Sequence, residues 1–105
     1  MNKERRMKIA TVIKNLEIEV ENVNTIRGDL IQIKSDIAEL CSAEERVLDS
    51  MEEKWSETSR YASCEESLDK LDDARSDMSS LLNTLQKIEE TINEIVDELN
   101  DATYC

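Results

Sequence analysis

Proline is missing from this sequence, and Gly28 is the single glycine in 105 residues. Proline breaks a helix interior and glycine weakens one, so their scarcity lets long helices run. It also removes the Gly/Pro and Asn-Gly turns that sheet folds depend on, which excludes a two-sheet architecture. Histidine is absent as well. The three cysteines, Cys41, Cys64 and Cys105, form no CxxC pair, so no four-ligand zinc set is available. An odd, dispersed set of this kind reads as free thiols in a reducing compartment, small semi-apolar residues rather than redox centres. There is no GxSxG, no phosphate-cradling glycine-rich loop and no acidic loop with a central glycine. The expectation is a non-enzymatic protein with no catalytic residues, no cofactor and no metal.

Long apolar runs are also lacking. The opening stretch "MNKERRMKIATVIK" is basic and then briefly apolar, with Thr11 and Lys14 interrupting it. That is too short for a signal-peptide core and far too short to span a bilayer. The expected location is the cytoplasm, with export possible only by a route that needs no cleaved signal peptide.

Charge is plentiful and lopsided. The chain carries a formal charge of −12. Residues 1–50 hold 8 Lys/Arg against 10 Asp/Glu, whereas residues 51–105 hold 5 against 15. Such a surface repels phosphate backbones and anionic headgroups, so neither nucleic acid nor membrane insertion is expected.

What remains is helical periodicity. In the first half, every seventh residue from Ile9 reads Leu16, Val23, Leu30, Ile37, Glu44, Met51. A companion row begins at Ile13 and Val20 and, followed by apolar character, shifts to Ile33, Leu40 and Val47, the drift of a nearly straight helix. In the second half Cys64, Leu71, Met78, Leu85, Ile92 and Leu99 are seven apart. Leu81, Ile88 and Ile95 lie on one side of that row, with Tyr61, Leu68, Leu82 and Val96 on the other. Each arm has one apolar face and needs another to cover it. The predicted fold is all-α, one antiparallel two-helix hairpin of coiled-coil character, with helix 1 over 7–52, a turn over 53–58 and helix 2 over 59–102. Two hairpins could pair further into a four-helix bundle. A short third helix starting near Ala43 is the competing arrangement, because Glu44 interrupts the apolar row there. The stretch "NVNTIRG" at 22–28 is poor in helix formers and has Arg27 in the apolar row, so a bend or weak point is expected there.

Glu65, Asp69, Asp73 and Asp77 are four apart and form an acidic ridge on helix 2. Like charges at that spacing repel weakly, and a solvated face is their ordinary role. The candidates for the turn or for a partner are Trp55, Met51 and Tyr61 near the midpoint, with Leu71, Met78, Leu85 and Ile92 along the second arm. Met51 and Trp55 are one turn apart, so Trp55 can simply close the end of the seam.

Around that tryptophan, "KWSETSRYASCEESLDKLDDARSDMSSLLNTLQKIEETINEIVDELNDA" resembles the WXG-motif family, the small helical hairpins of type VII (early-secretory-antigen) export systems. Trp55 would take the motif's Trp position; the motif's glycine is replaced by Glu57. The resemblance implies a hairpin that acts as an export substrate or as an accessory partner of a larger one. Its apolar helix faces would meet a protein partner, as homodimer or heterodimer. The regular heptads also suit a coiled-coil subunit of an intracellular tethering or scaffold complex.

Overall fold

The computed structural model describes residues 2–55 and 59–104, with the backbone alone at 52–55. Two helices, α1 (Lys3–Trp55) and α2 (Ser59–Ala102), pack against each other as an all-α helical hairpin. The hairpin comprises two compact units. One combines residues 1–29 with 82–105, and the other is the continuous stretch 30–81.

α1 starts four residues before the expected position 7, and Asn2 is the reason. Its Oδ1 accepts the Arg5 backbone N–H at 2.9 Å, and its carbonyl accepts the Arg6 N–H at 3.2 Å. This is N-cap geometry, satisfying one of the donors a helix start leaves unpaired. Glu4 then lies in the first turn, where the helix dipole favours an acid, and it meets exposed Lys8 at 3.6 Å. α1 also passes through Ala43 without a break, so no third helix starts there. It runs on to Trp55, which makes residues 53–55 helical rather than part of the turn; 56–58 lie outside the described residues.

The soft stretch at 22–28 stays helical because its polar side chains are satisfied locally. The Thr25 hydroxyl donates to the Glu21 carbonyl at 3.1 Å, and the Arg27 guanidinium donates to Asn24 Oδ1 at 2.8 Å. Gly28 has no positive φ, and a Cβ placed on it meets nothing within 4 Å. Neither a turn nor close packing requires glycine at this point. At its far end α2 closes with 3₁₀-type bonds, Thr103 N–H to Asn100 O and Tyr104 N–H to Asp101 O, both 3.2 Å.

The burial pattern corrects the expected path of the seam on α1. The companion row does not drift. Its members after Val20 are Arg27, Lys34, Cys41 and Leu48, all half-buried or buried, while Ile33, Leu40 and Val47 are exposed. The inner positions of α1 keep an alternating three-four spacing from Ile9 to Met51, and those of α2 keep it from Tyr61 to Thr103. A strict seven-residue repeat held for this many turns is the period of a left-handed coiled coil. Backbone geometry sets that period, so an Arg or Lys that falls on it turns inward by its stem. In α2 the repeat likewise includes Arg75 and Glu89, and it leaves Leu81, Ile88 and Ile95 exposed.

The core is thin. Among the described residues Cys41, at 1% exposure, and Leu48, at 8%, are the fully buried apolar side chains.

Candidate docking face

Polar side chains occupy part of the seam in each unit. In the unit of residues 1–29 and 82–105, Arg27 Nη1 reaches Glu89 Oε2 across the helix pair at 3.0 Å. Both side chains are less than a third exposed, 30% and 22%. That places the pair above an open-surface bridge in strength, at about 1 kcal/mol or somewhat more. In the unit of residues 30–81, the Asp72 carboxylate acts on the buried Cys41 thiol and favours its protonated form. Asp72 also accepts from Arg75 at 2.9 Å. Burial pushes the Cys41 thiol pKa up; nearby Arg75 pulls it down, and the Asp72 hydrogen bond and the Asp72 and Glu45 charges push it up again.

These contacts define the two edges of the hairpin. Antiparallel helices bring like heptad positions to the same edge. Arg27 and Glu89 occupy the same heptad row in the first unit and lie toward one of its edges; Cys41 and Arg75 do so in the second, where Asp72 extends that edge. The next row out is Glu17 and Asn24 with Gln86, Asn93 and Asn100 in the first unit, and Ile31, Ala38 and Glu45 with Glu65, Asp72 and Ser79 in the second. It is polar apart from Ile31 and Ala38.

The opposite edge is apolar. Each residue immediately preceding an Arg27-row position faces it. Beside Glu19, Arg60, Ser67, Ala74 and Ala102, the large aliphatic side chains at these positions are Val12 and Ile26 on α1 with Ile88 and Ile95 on α2 in the first unit, and Ile33, Leu40 and Val47 with Leu81 in the second. All of these aliphatic side chains are exposed. They adjoin the more apolar of the two inner rows, Leu16 and Val23 with Leu85 and Ile92 in the first unit and Leu30 and Ile37 with Leu71 and Met78 in the second. The apolar stripe visible in the sequence is therefore wider than the seam. The seam uses one margin, fills the other with charged groups, and leaves a row of branched aliphatics uncovered in each unit.

The chain matches no family model, no curated protein and no solved structure.

The residues singled out from the sequence separate into three places. Tyr61, Leu71, Met78, Leu85 and Ile92 are half-buried positions of the intrachain seam, and Met51 is its last inner position on α1 with a described side chain. Trp55 is the final residue of α1, and its side chain, like Glu57 and Cys105, lies outside the described residues. Glu65, Asp69, Asp73 and Asp77 are exposed. Among the described residues no group of three or more His, Cys, Asp or Glu side chains could hold a metal ion. Among the described residues, surface depressions such as that lined by Thr84, Lys87, Ile88, Thr91 and Ile92 follow one helix and are grooves between neighbouring turns. No described helix is long and apolar enough to cross a membrane. Cys41 and Cys64 are free thiols.

Sequence periodicity does not separate the exposed aliphatic row from the seam. Ile26, Ile33, Leu40 and Val47 are themselves seven apart, which was the available signal. It stayed hidden because Ile33, Leu40 and Val47 looked like the continuation of Ile13 and Val20.

Proposed function

We propose that this protein is a non-enzymatic protein–protein interaction module, a WXG-like helical hairpin that serves as an export substrate or as the accessory partner of a larger type VII secretion substrate. The observation that supports an interaction role is the exposed aliphatic row beside a thin seam. Exposed aliphatic side chains grouped along one edge mark an interaction surface, whereas scattered ones do not. The export link is carried by the resemblance around Trp55. Co-expression with the products of neighbouring genes, followed by sedimentation of the purified chain, tests the proposal. A complex that dissociates when Leu40 or Leu81 is made polar is the expected outcome. A chain that binds none of those products overturns the export-linked reading.

The unbroken seven-residue repeat of both helices favours a second reading, a coiled-coil subunit of an intracellular tethering or scaffold complex. Capture of coiled-coil subunits, with no export component among them, would select it.

A further inference from the structure

We infer that the first turns of α1 form a basic plug that docks in a carboxylate-lined cleft of another protein, a contact separate from the aliphatic rows and beyond the reading above.

The unit of residues 1–29 and 82–105 holds both this segment and the end of α2. Arg27 and Glu89 mark one level of it, because they meet at 3.0 Å. From that level α1 runs back 24 residues to Lys3, whereas α2 runs on only 13 residues to Ala102. At about 1.5 Å per residue, α1 projects roughly 16 Å past the end of α2. The exposures agree. Residues 2–8 are all exposed, and they include Arg6, which stands on the same row of the repeat as half-buried Ile13, Val20 and Arg27. α2 does not continue toward the plug, since it closes with the 3₁₀-type bonds of Thr103 and Tyr104.

The charge of this segment is the reverse of the chain's. Lys3, Arg5, Arg6 and Lys8 stand against Glu4 alone, in a chain of −12. Among the described residues its one ion pair is Lys8 to Glu4, at 3.6 Å. Asp97, Glu98 and Asp101 on α2 do not neutralise the rest. The basic positions begin roughly 10 Å along the axis beyond Asp101, more than the Debye length of about 8 Å at physiological salt. Helical side chains also lean toward the N-terminus, here away from α2. Cations in a first turn oppose the helix dipole as well. The segment therefore lacks an anionic partner within its own unit.

The arrangement of the cations selects the anion. They fall on four rows of the repeat, Lys3 on that of Asn24, Arg5 on that of Ile26, Arg6 on that of Arg27 and Lys8 on that of Asp29. Together they surround the axis. A bilayer meets one side of a helix and needs an apolar face there, but Met7 is the one large apolar side chain exposed between Lys3 and Lys8. Duplex nucleic acid carries phosphates well beyond the plug, and the acidic rest of the chain would repel them. A cleft bordered by Asp and Glu can meet cations on every side, with Arg5 and Arg6 each taking a carboxylate in bidentate fashion. Its entrance need be no wider than one helix, which keeps the acidic body of the chain outside.

The test titrates the full chain, under reducing conditions, into a fluorescein-labelled polyglutamate peptide of about 15 residues and reads anisotropy at about 50 and 200 mM NaCl. Saturable binding is expected, with a dissociation constant below about 100 μM at the lower salt and weaker at the higher. Arg5→Gln/Arg6→Gln should raise that constant at least about 10-fold. Lys87→Gln, which removes an exposed cation of α2 outside the plug, should leave it unchanged. Removing two cations from the first turn relieves their conflict with the dipole, so the double variant should fold. Circular dichroism checks this, and Lys3→Gln/Lys8→Gln supplies the comparison if it does not. No binding, binding unchanged in the double variant, or equal weakening by Lys87→Gln overturns the inference. So does plug-dependent binding to phosphatidylserine-containing vesicles or to a short DNA duplex that is tighter than binding to the peptide, which would make the partner a membrane or a nucleic acid. None of these outcomes involves Leu40 or Leu81, so failure of the plug leaves the interaction reading standing, and failure of that reading leaves the plug.

Discussion

Arg27 and Glu89 meet across the two helices at 3.0 Å, each on an inner position of the seven-residue repeat where an aliphatic residue would ordinarily stand. A register slip would part them, so the pair favours one alignment of the helices over its neighbours. Apolar rows alone discriminate poorly between alignments one heptad apart. Replacing Arg27 by Ala should destabilise the hairpin by about 1–2 kcal/mol, because Glu89 keeps a partly buried charge without its partner. The charge-reversed double variant Arg27→Glu/Glu89→Arg should recover most of the loss. Arg27→Leu/Glu89→Leu should be as stable as the parent or more so, by up to a few kcal/mol. Urea unfolding of the four proteins gives the comparison; additive single effects, with no recovery in the swap, would show that the two side chains do not couple.

Gly28→Ala should stabilise the protein by about 0.5–1 kcal/mol, since an interior helical glycine gives up that much relative to alanine. The added methyl meets nothing within 4 Å, and the backbone there has no positive φ. Thermal melting measures it. A lower midpoint would mean that residue 28 is not in an ordinary helix in solution.

Leu48→Ala should cost about 2–3 kcal/mol, as expected for truncating a buried leucine. Leu40→Ala, where the parent side chain is 54% exposed, should change the stability of the hairpin by less than about 0.5 kcal/mol. Sequence periodicity puts Leu40 on the apolar row and leaves Leu48 off it, so their ranking tests the position of the seam directly. Denaturant titration at high dilution reads it; equal losses would place the seam on the wrong row.

Cys41 should make stability fall at alkaline pH. Its thiol is raised above the ordinary value of 9.0 in the folded chain, first by burial and then by the Asp72 hydrogen bond, against the opposing pull of Arg75. The folded state therefore holds the proton more tightly than the unfolded one. Its contribution is fully present below the unfolded thiol pKa and is lost as pH rises through that value toward the folded one. Melting temperatures across that interval, for the parent and for Cys41→Ala, isolate the thiol. The parent should show the steeper decline, and Cys41 should alkylate more slowly than half-buried Cys64 in the native protein. Equal alkylation rates would contradict the buried position.

The α2 seam was legible in the sequence because its inner row is apolar throughout, from Cys64 to Leu99, and a seven-residue repeat needs no partner to be seen. The α1 seam was half legible. The row Ile9, Leu16, Val23, Leu30 and Ile37 was plain, and Glu44 stays in it as a half-buried residue without ending the helix. Its companion row was lost after Val20, because Arg27 and Lys34 resemble surface residues until Glu89 is placed opposite Arg27. The early start of α1 was written in Asn2, a capping residue next to the basic segment. Its hydrogen bond to Arg5 is the kind of local signal that needs no tertiary structure.

The sequence by itself determined that two long helices form and fold back as a hairpin. Composition and periodicity are local properties, and near absence of glycine and proline leaves few other outcomes. Only the tertiary structure decided which of two adjacent aliphatic rows is covered. Both rows satisfy helical spacing. The choice between them is made by contacts on the other helix, where Glu89, Asp72 and Arg75 receive the polar side of the seam and leave Ile26, Ile33, Leu40 and Val47 facing outward.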